Sequence, residues 1–161
     1  MKTVANKTVQ TLLEKNLTVA TAESCTGGLV ATKITSVSGS SAVISFSMIT
    51  YSNEVKIEKL GVAKSTIENF GAISHQTAKE MAENIRKLAN SDIGVSVTGV
   101  AGPSMSEGKA VGTVFIGIST SKETKVEKLE PAPLTRDEIR ENAAEKALEL
   151  VLKTAAEYRK E

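Results

Sequence analysis

The chain has 161 residues, enough for one domain with its own core, and its single Cys excludes a disulfide framework. A net charge of +1 and 3% aromatics with no Trp argue against a polyanion-binding face or a base-stacking platform, so nucleic acid is not an expected partner. No apolar run approaches the ~20 residues of a membrane span, residues 1–14 lack a signal-peptide core, and one His argues against a His-based metal cluster, so a cytoplasmic protein without membrane contact, metal or cofactor is expected.

Val4, Val9, Leu12 and Leu13 fall near one face of a helix over 1–16, with Asn16 suited to end it. Residues 17–22, rich in Thr, Val and Ala, read as a short strand, and 28–37 as a helix. A Ser-Gly-Ser-Ser turn follows. The loose alternation of Val43, Ile44, Phe46, Met48 and Ile49 predicts a strand over 42–51. Residues 53–60 predict a short helix closed by Gly61. Ser65-Thr66-Ile67-Glu68 has capping-box spacing and opens another, ending near Gly71. Ser74 caps a longer helix over 75–89, with Ala78, Met81, Ile85 and Leu88 inward. An apolar strand over 93–98 leads into the glycine-rich turn Thr98-Gly99-Val100-Ala101-Gly102-Pro103. Residues 104–110 are polar and aperiodic and read as a mobile loop. A strand over 111–120 precedes an edge strand over 125–130, which carries Lys and Glu and stops at Pro131 and Pro133. Thr135-Arg136-Asp137-Glu138 is a second capping box. It opens a long final helix with Ile139, Ala143, Ala147, Leu150 and Val151 on its apolar side.

Strands and helices alternate early, and two strands follow one another before the last helix. The expected fold class is α/β: a single domain over 1–161, three-layer α/β/α, with a mixed, mostly parallel sheet. Ligands on such sheets sit where strand ends run into helices. Glycine-rich turns follow two predicted strands, at Ser24 and at Thr98.

The stretch Thr21-Ala22-Glu23-Ser24-Cys25-Thr26-Gly27-Gly28 is a strand-turn-helix with a hydroxyl at the turn. The paired glycines allow a sharp bend and a close approach. The first N–H groups of the following helix are expected to face the turn and to suit a phosphate or an oxyanion. Ser24 there is either an acyl-transfer nucleophile or a satisfied helix cap. As a nucleophile it needs a base. His75, one residue into a helix, reads as solvent-exposed. Lys56, after Tyr51-Ser52-Asn53-Glu54 at a strand-to-helix junction, is the other candidate. It must be desolvated, or held beside another cation, to act near neutral pH; otherwise it is a solvated helix lysine. Tyr51 is placed to pass a proton or to hold the lysine. Cys25 is a second nucleophile candidate at a helix start, but nothing basic lies near it in sequence and a buried packing role is favoured. Glu23 is placed to pair with a cation or to bond the turn backbone. Thr26 and Thr98 are placed to donate to a substrate oxygen or to cap. Arg136 and Arg140, four apart on one helix face, either grip a phosphate or pair with Asp137, Glu138 and Glu141.

Several blocks together resemble the CinA C-terminal domain family in order and spacing. They are Ala22-Glu23-Ser24-Cys25-Thr26-Gly27-Gly28, Thr50-Tyr51-Ser52-Asn53-Glu54 with Lys56, Leu60-Gly61-Val62, and Gly71-Ala72-Ile73-Ser74. Val97-Thr98-Gly99-Val100-Ala101-Gly102-Pro103, Val111-Gly112-Thr113-Val114 and the helix over 136–147 complete the set, which spans essentially the whole chain. The resemblance is to stand-alone members, without the molybdopterin-binding-like N-terminal domain of longer ones. It implies a nicotinamide-nucleotide amidase of pyridine nucleotide salvage, converting nicotinamide mononucleotide and water to nicotinic acid mononucleotide and ammonia with no metal and no cofactor. It implies Ser24 as nucleophile, Lys56 as general base and Tyr51 in support. Cys25, Thr26, Gly27, Thr98 and Gly99 would lie on the substrate side, with backbone N–H groups around Cys25 to Gly27 holding the oxyanion. Either Arg136 or Arg140 would bind the phosphate.

One segment departs from the family pattern. An acidic glycine-rich run of the Asp-Gly-Gly kind often follows Ala-Gly-Pro; this chain has Ser104-Met105-Ser106-Glu107-Gly108-Lys109. This loop is expected to shape the substrate mouth, so the difference bears on substrate preference and rate rather than on the core motifs. A homo-oligomer is expected. The alternative function is a non-catalytic nucleotide-binding or regulatory domain related to competence or DNA damage. A thiol hydrolase built on Cys25 is a third reading.

Overall fold

The computed structural model describes residues 2–160. Met1 of the expected first helix and Glu161 of the expected domain lie outside them. The strands are β1 (Val19–Glu23), β2 (Ser47–Ile49), β3 (Ile93–Gly99), β4 (Val114–Ser119) and β5 (Thr124–Leu129). They form one sheet in the order β2-β1-β3-β4-β5. β1 pairs parallel with β2 and β3, and β4 pairs antiparallel with β3 and β5, so β4 alone runs against the rest. Helices α1 (Val4–Glu14), α2 (Leu29–Thr35) and α6 (Arg136–Glu157) cover one face. Helices α3 (Asn53–Glu58), α4 (Lys64–Phe70) and α5 (His75–Ala89) lie on the other. The architecture is the mixed three-layer α/β/α domain expected from the alternation of elements. Among the described residues, no helix is long and apolar enough to cross a membrane.

Side-chain alternation sets the two faces. Val19, Ile93, Val95, Val97, Ile116 and Ile118 point into the core under α1, α2 and α6. The α6 stripe of Ile139, Ala143, Ala147, Leu148 and Val151 closes that core at helical spacing. Each large aliphatic buried there contributes about 1.5–3 kcal/mol. The opposite face is made of small residues. Ala20 and Ala22 of β1 lie under Met81 and Ile85 of α5. A Cβ on Gly94 would stand 2.2 Å from the Ala82 carbonyl oxygen, and one on Gly117 2.5 Å from that of Ala78. The Ser96 hydroxyl donates to the same Ala78 carbonyl at 2.6 Å. α5 therefore rests almost directly on the strand backbones.

The structure corrects several expectations. The strand expected over 42–51 contracts to Ser47–Ile49. Ser40–Ala42 forms a 3-10 turn after the left-handed Gly39, and Val43 turns into the helix-side core instead of extending the ladder. Phe46 and Ile49 are exposed on this edge, so their apolar pattern does not mark a buried face. Ser65 does not cap α4. The N-cap is Ala63, whose N–H donates to Glu80 of α5 at 2.8 Å while the Thr66 hydroxyl donates to the same carboxylate. A tertiary neighbour thus supplies the capping acceptor. Leu88, expected inward, is exposed in the last turn of α5, beyond the buried stripe that closes at Ile85. The 104–110 loop is not free. Ser106 and Lys109 form a bridge, and the Glu107 carboxylate accepts the Ala72 and Ile73 N–H groups at 2.9 and 3.0 Å.

Candidate active site

Ser24 follows the last residue of the central strand β1. Its N–H donates to Val97 O at 2.9 Å, and on the other side Thr50 N–H donates to Glu23 O at 2.8 Å. The backbone is pinned between two neighbours at the C-terminal end of the parallel strands, the usual ligand position in an open α/β sheet. Gly27 and Gly28 then reverse the chain at φ +58° and +99°, which a side chain would strain.

Glu23 decides what the helix end can do. Its carboxylate is buried and accepts Val30 N–H at 2.9 Å, Ala31 N–H at 3.0 Å and the Thr21 hydroxyl at 3.1 Å. It completes the first turn of α2 and satisfies donors expected to face a ligand. Gly27 N–H is also engaged, by Ser24 O at 3.0 Å. The helix terminus is therefore closed by the protein's own carboxylate, and the expectation that its N–H groups serve a ligand is corrected.

Lys56 lies on the inner side of α3 and is 1% exposed. Its Nζ donates to Thr50 O at 2.7 Å, Tyr51 O at 3.3 Å and Ser24 Oγ at 3.2 Å. Three acceptors match the three protons of an ammonium. Among the described residues, no carboxylate forms an ion pair with it. Burial lowers its pKa to about 8, opposed by weaker fields that include the Glu107 carboxylate. Deprotonated, the amine keeps two hydrogens for the two carbonyls and turns its lone pair to Ser24. Cys25 is placed differently. Burial pushes its thiol pKa up to about 12, the opposite of an activated nucleophile.

A cleft of about 230 Å³ opens over this pair. Of the predicted site residues, Ser24, Cys25, Tyr51, Lys56, Thr98, Gly99 and Arg136 line it, and Thr26, Gly27 and Arg140 do not. Thr98 spends its hydroxyl proton on Ala72 O at 2.8 Å, leaving only lone pairs to the cleft. Gly99 admits no side chain, since a Cβ would meet Thr113 O at 2.7 Å. Thr26 is fully buried, its hydroxyl without a partner among the described residues. Tyr51 holds the lysine through its carbonyl, while its exposed phenol accepts from Arg136 Nη2 at 3.2 Å. Arg136 Nη1 donates to Gly102 O. Arg140 sits behind the turn, donating to Cys25 O at 3.0 Å and Thr26 O at 3.2 Å. His75 is exposed at the start of α5 and does not line the cleft.

Glu107 also lines the cleft, with Ser104 and Ser106. The sequence tied this loop to the substrate side but, with 104–110 read as mobile, gave Glu107 no role of its own. The available signal was a Glu-Gly pair, and the structure holds Glu107 at φ +52° and Gly108 at φ +70°.

Fold and site together define an α/β domain carrying a buried, hydrogen-bonded serine–lysine pair at the end of its central parallel strand. The chain belongs to the CinA C-terminal domain family, whose model matches residues 1–155. It is 58% identical over 120 residues to a protein of Thermoanaerobacter pseudethanolicus named as competence-damage inducible, covering 73% of this chain and 29% of that protein. It is 49% identical over 144 residues to a CinA-like protein of Kosmotoga olearia, covering 89% of this chain and 35% of that one. The chain thus spans about a third of the length of these curated relatives. Among solved structures, the competence/damage inducible protein CihA from Agrobacterium tumefaciens superposes with a TM-score of 0.90 at 36% identity, covering 93% of this chain and 92% of that one. A CinA superfamily protein from Klebsiella pneumoniae 700603 gives 0.92 at 25% identity, covering 96% and 97%.

Proposed function

We propose that this chain is an amide hydrolase that deamidates nicotinamide mononucleotide through Ser24 and Lys56. The observation that carries the reading is the 3.2 Å contact between Lys56 Nζ and Ser24 Oγ, made by a lysine buried without a carboxylate partner among the described residues. A pKa of about 8 leaves roughly one lysine in ten neutral at pH 7, against roughly one in three thousand at the ordinary value. The pair supplies the nucleophile and base that carboxamide hydrolysis requires.

Ser24 Oγ attacks the carboxamide carbon as its proton passes to Lys56. With the α2 terminus filled by Glu23 and Gly27 N–H engaged by Ser24 O, the oxyanion falls to the N–H of Cys25, the turn residue after Ser24 that lines the cleft. Collapse of the tetrahedral adduct breaks the C–N bond, and the Lys56 ammonium protonates the departing nitrogen, releasing ammonia. Water then gives a proton to Lys56 and attacks the Ser24 acyl ester; the returned proton frees the serine and the pyridine carboxylate. Arg136, at the cleft mouth, takes the phosphate, while Arg140 keeps the turn in shape.

The test is ammonia release from nicotinamide mononucleotide by purified protein beside Ser24→Ala. Turnover that disappears in the folded variant supports the serine amidase. Binding without turnover by the folded wild type would instead favour a nucleotide-binding domain, and turnover that survives Ser24→Ala would remove the serine from the mechanism.

A further inference from the structure

The cleft carries one negative side chain that the hydrolytic steps do not use. Glu107 lines it together with Ser24, Lys56 and Arg136. Both carboxylate oxygens accept backbone N–H groups, from Ala72 at 2.9 Å and Ile73 at 3.0 Å, which fixes the side chain in place. The backbone enters the left-handed region to place it there. Its oxygens pass over Gly71, where a Cβ would stand 2.4 Å from Oε2, so the missing side chain at 71 is what leaves room for the carboxylate. Lys109, on the same loop, approaches only to 3.8 Å. The other charged groups facing the cleft are cations, Lys56 from α3 and Arg136 from α6.

A nicotinamide mononucleotide carries two fixed charges of its own. The N-ribosylated ring is a pyridinium cation, and the phosphate is an anion. A carboxamide placed on Ser24 brings the ring beside Lys56, whose titration feels the Glu107 charge. A ring in that position feels the same charge. Without Glu107 the cleft would present only cations to a cationic ring.

We propose that Glu107 is the counter-charge to the pyridinium ring, so that the cleft selects positively charged, N-substituted pyridine carboxamides over neutral ones. The inference rests on the amidase reading and adds the charge of the ring to what the site recognises. Arg136 and Glu107 then answer the two charges of a zwitterionic substrate separately. For two charges several ångströms apart in a partly solvated cleft, one unit charge is worth about tenfold in affinity.

The test compares nicotinamide mononucleotide with its reduced dihydropyridine form, which keeps the phosphate, ribose and carboxamide but has a neutral ring. Titration calorimetry on the Ser24→Ala protein measures binding without turnover. The oxidised form is expected to bind about tenfold more tightly. Adding Glu107→Gln should bring the two within about twofold. Adding Lys109→Gln, which removes the cation facing Glu107 and leaves both backbone contacts, should widen the gap; this arm holds even if Glu107→Gln fails to fold. Equal affinities in Ser24→Ala, or a gap untouched by Glu107→Gln in folded protein, would overturn the role of Glu107 and leave the amidase intact. No binding of either form, with no ammonia released by wild type, would overturn both.

Discussion

Arg136 and Arg140 stand one helical turn apart on α6 and reach different loops of the site. Arg136 donates to the Tyr51 phenol at 3.2 Å at the cleft mouth, whereas Arg140 donates to the Cys25 and Thr26 carbonyls at 3.0 and 3.2 Å behind it. The two should fail differently. A charge-assisted phosphate contact contributes about 1.5–3 kcal/mol. Arg136→Ala is therefore expected to raise KM for nicotinamide mononucleotide about 10- to 100-fold with kcat little changed, and to spare nicotinamide riboside, which has no phosphate. Arg140→Ala should lower kcat for both substrates and lower Tm. Steady-state kinetics on the two substrates with a melting curve separates the roles; identical defects in both variants would refute the division.

Removal of either member of the Ser24–Lys56 pair should reduce kcat by about 10³-fold or more. Lys56→Arg should not restore it, because a guanidinium stays protonated and has no lone pair to offer. Cys25→Ala should retain most of the activity, since the thiol is buried and its pKa is pushed up to about 12. A dead Cys25→Ala in folded protein would return weight to a thiol mechanism.

Lys56 also fixes a pH dependence. In the proposed mechanism the active form is the neutral amine, so kcat/KM should climb about tenfold per pH unit below about 8 and level off above it. Stability follows the same group with a definite sign. Its folded pKa, about 8, lies below the ordinary 10.5, so the unfolded chain binds more protons between those values and stability rises with pH across that window. The full change is on the order of 3 kcal/mol. Denaturant melts of wild type and Lys56→Met at pH 7 and pH 10 should show the gain only in wild type.

Glu23 should prove structural. Its two oxygens complete α2 through Val30 and Ala31 N–H at 2.9 and 3.0 Å. Glu23→Gln keeps one acceptor and turns an amide N–H toward the other donor, with a loss of about 1–3 kcal/mol. Chemical denaturation measures it, and an unchanged midpoint would contradict the capping role.

Gly94 tests the close seat of α5. A Cβ there would meet Ala82 O at 2.2 Å, and this backbone contact cannot move without lifting the helix. Gly94→Ala is expected to cost about 1–3 kcal/mol in a melting experiment, as overpacking does.

Much of this was legible in the order of residues. Helical and strand periods located the layers, because apolar spacing reports directly on which face is buried. The Thr135 cap and the long α6 followed from local chemistry: its capping box is closed within four consecutive residues. The turn glycines marked a ligand position, since the bend they allow is a property of the backbone itself. The family blocks identified Ser24 and Lys56 as a pair but not their contact. Thirty-two residues of chain separate them, and their 3.2 Å approach exists only because β1 and β2 pair in parallel and deliver Ser24 and Thr50 to the same edge. The fall of the Lys56 pKa is likewise a property of burial, which no local window contains. Long-range contacts also capped α4 with Glu80, gave Arg136 and Arg140 different partners, and drew Glu107 from an apparently loose loop into the cleft. Sequence determined which elements form and which residue types stand at the strand ends. Tertiary structure decided which of those residues lose water and which donor meets which acceptor, and those two facts carry the chemistry.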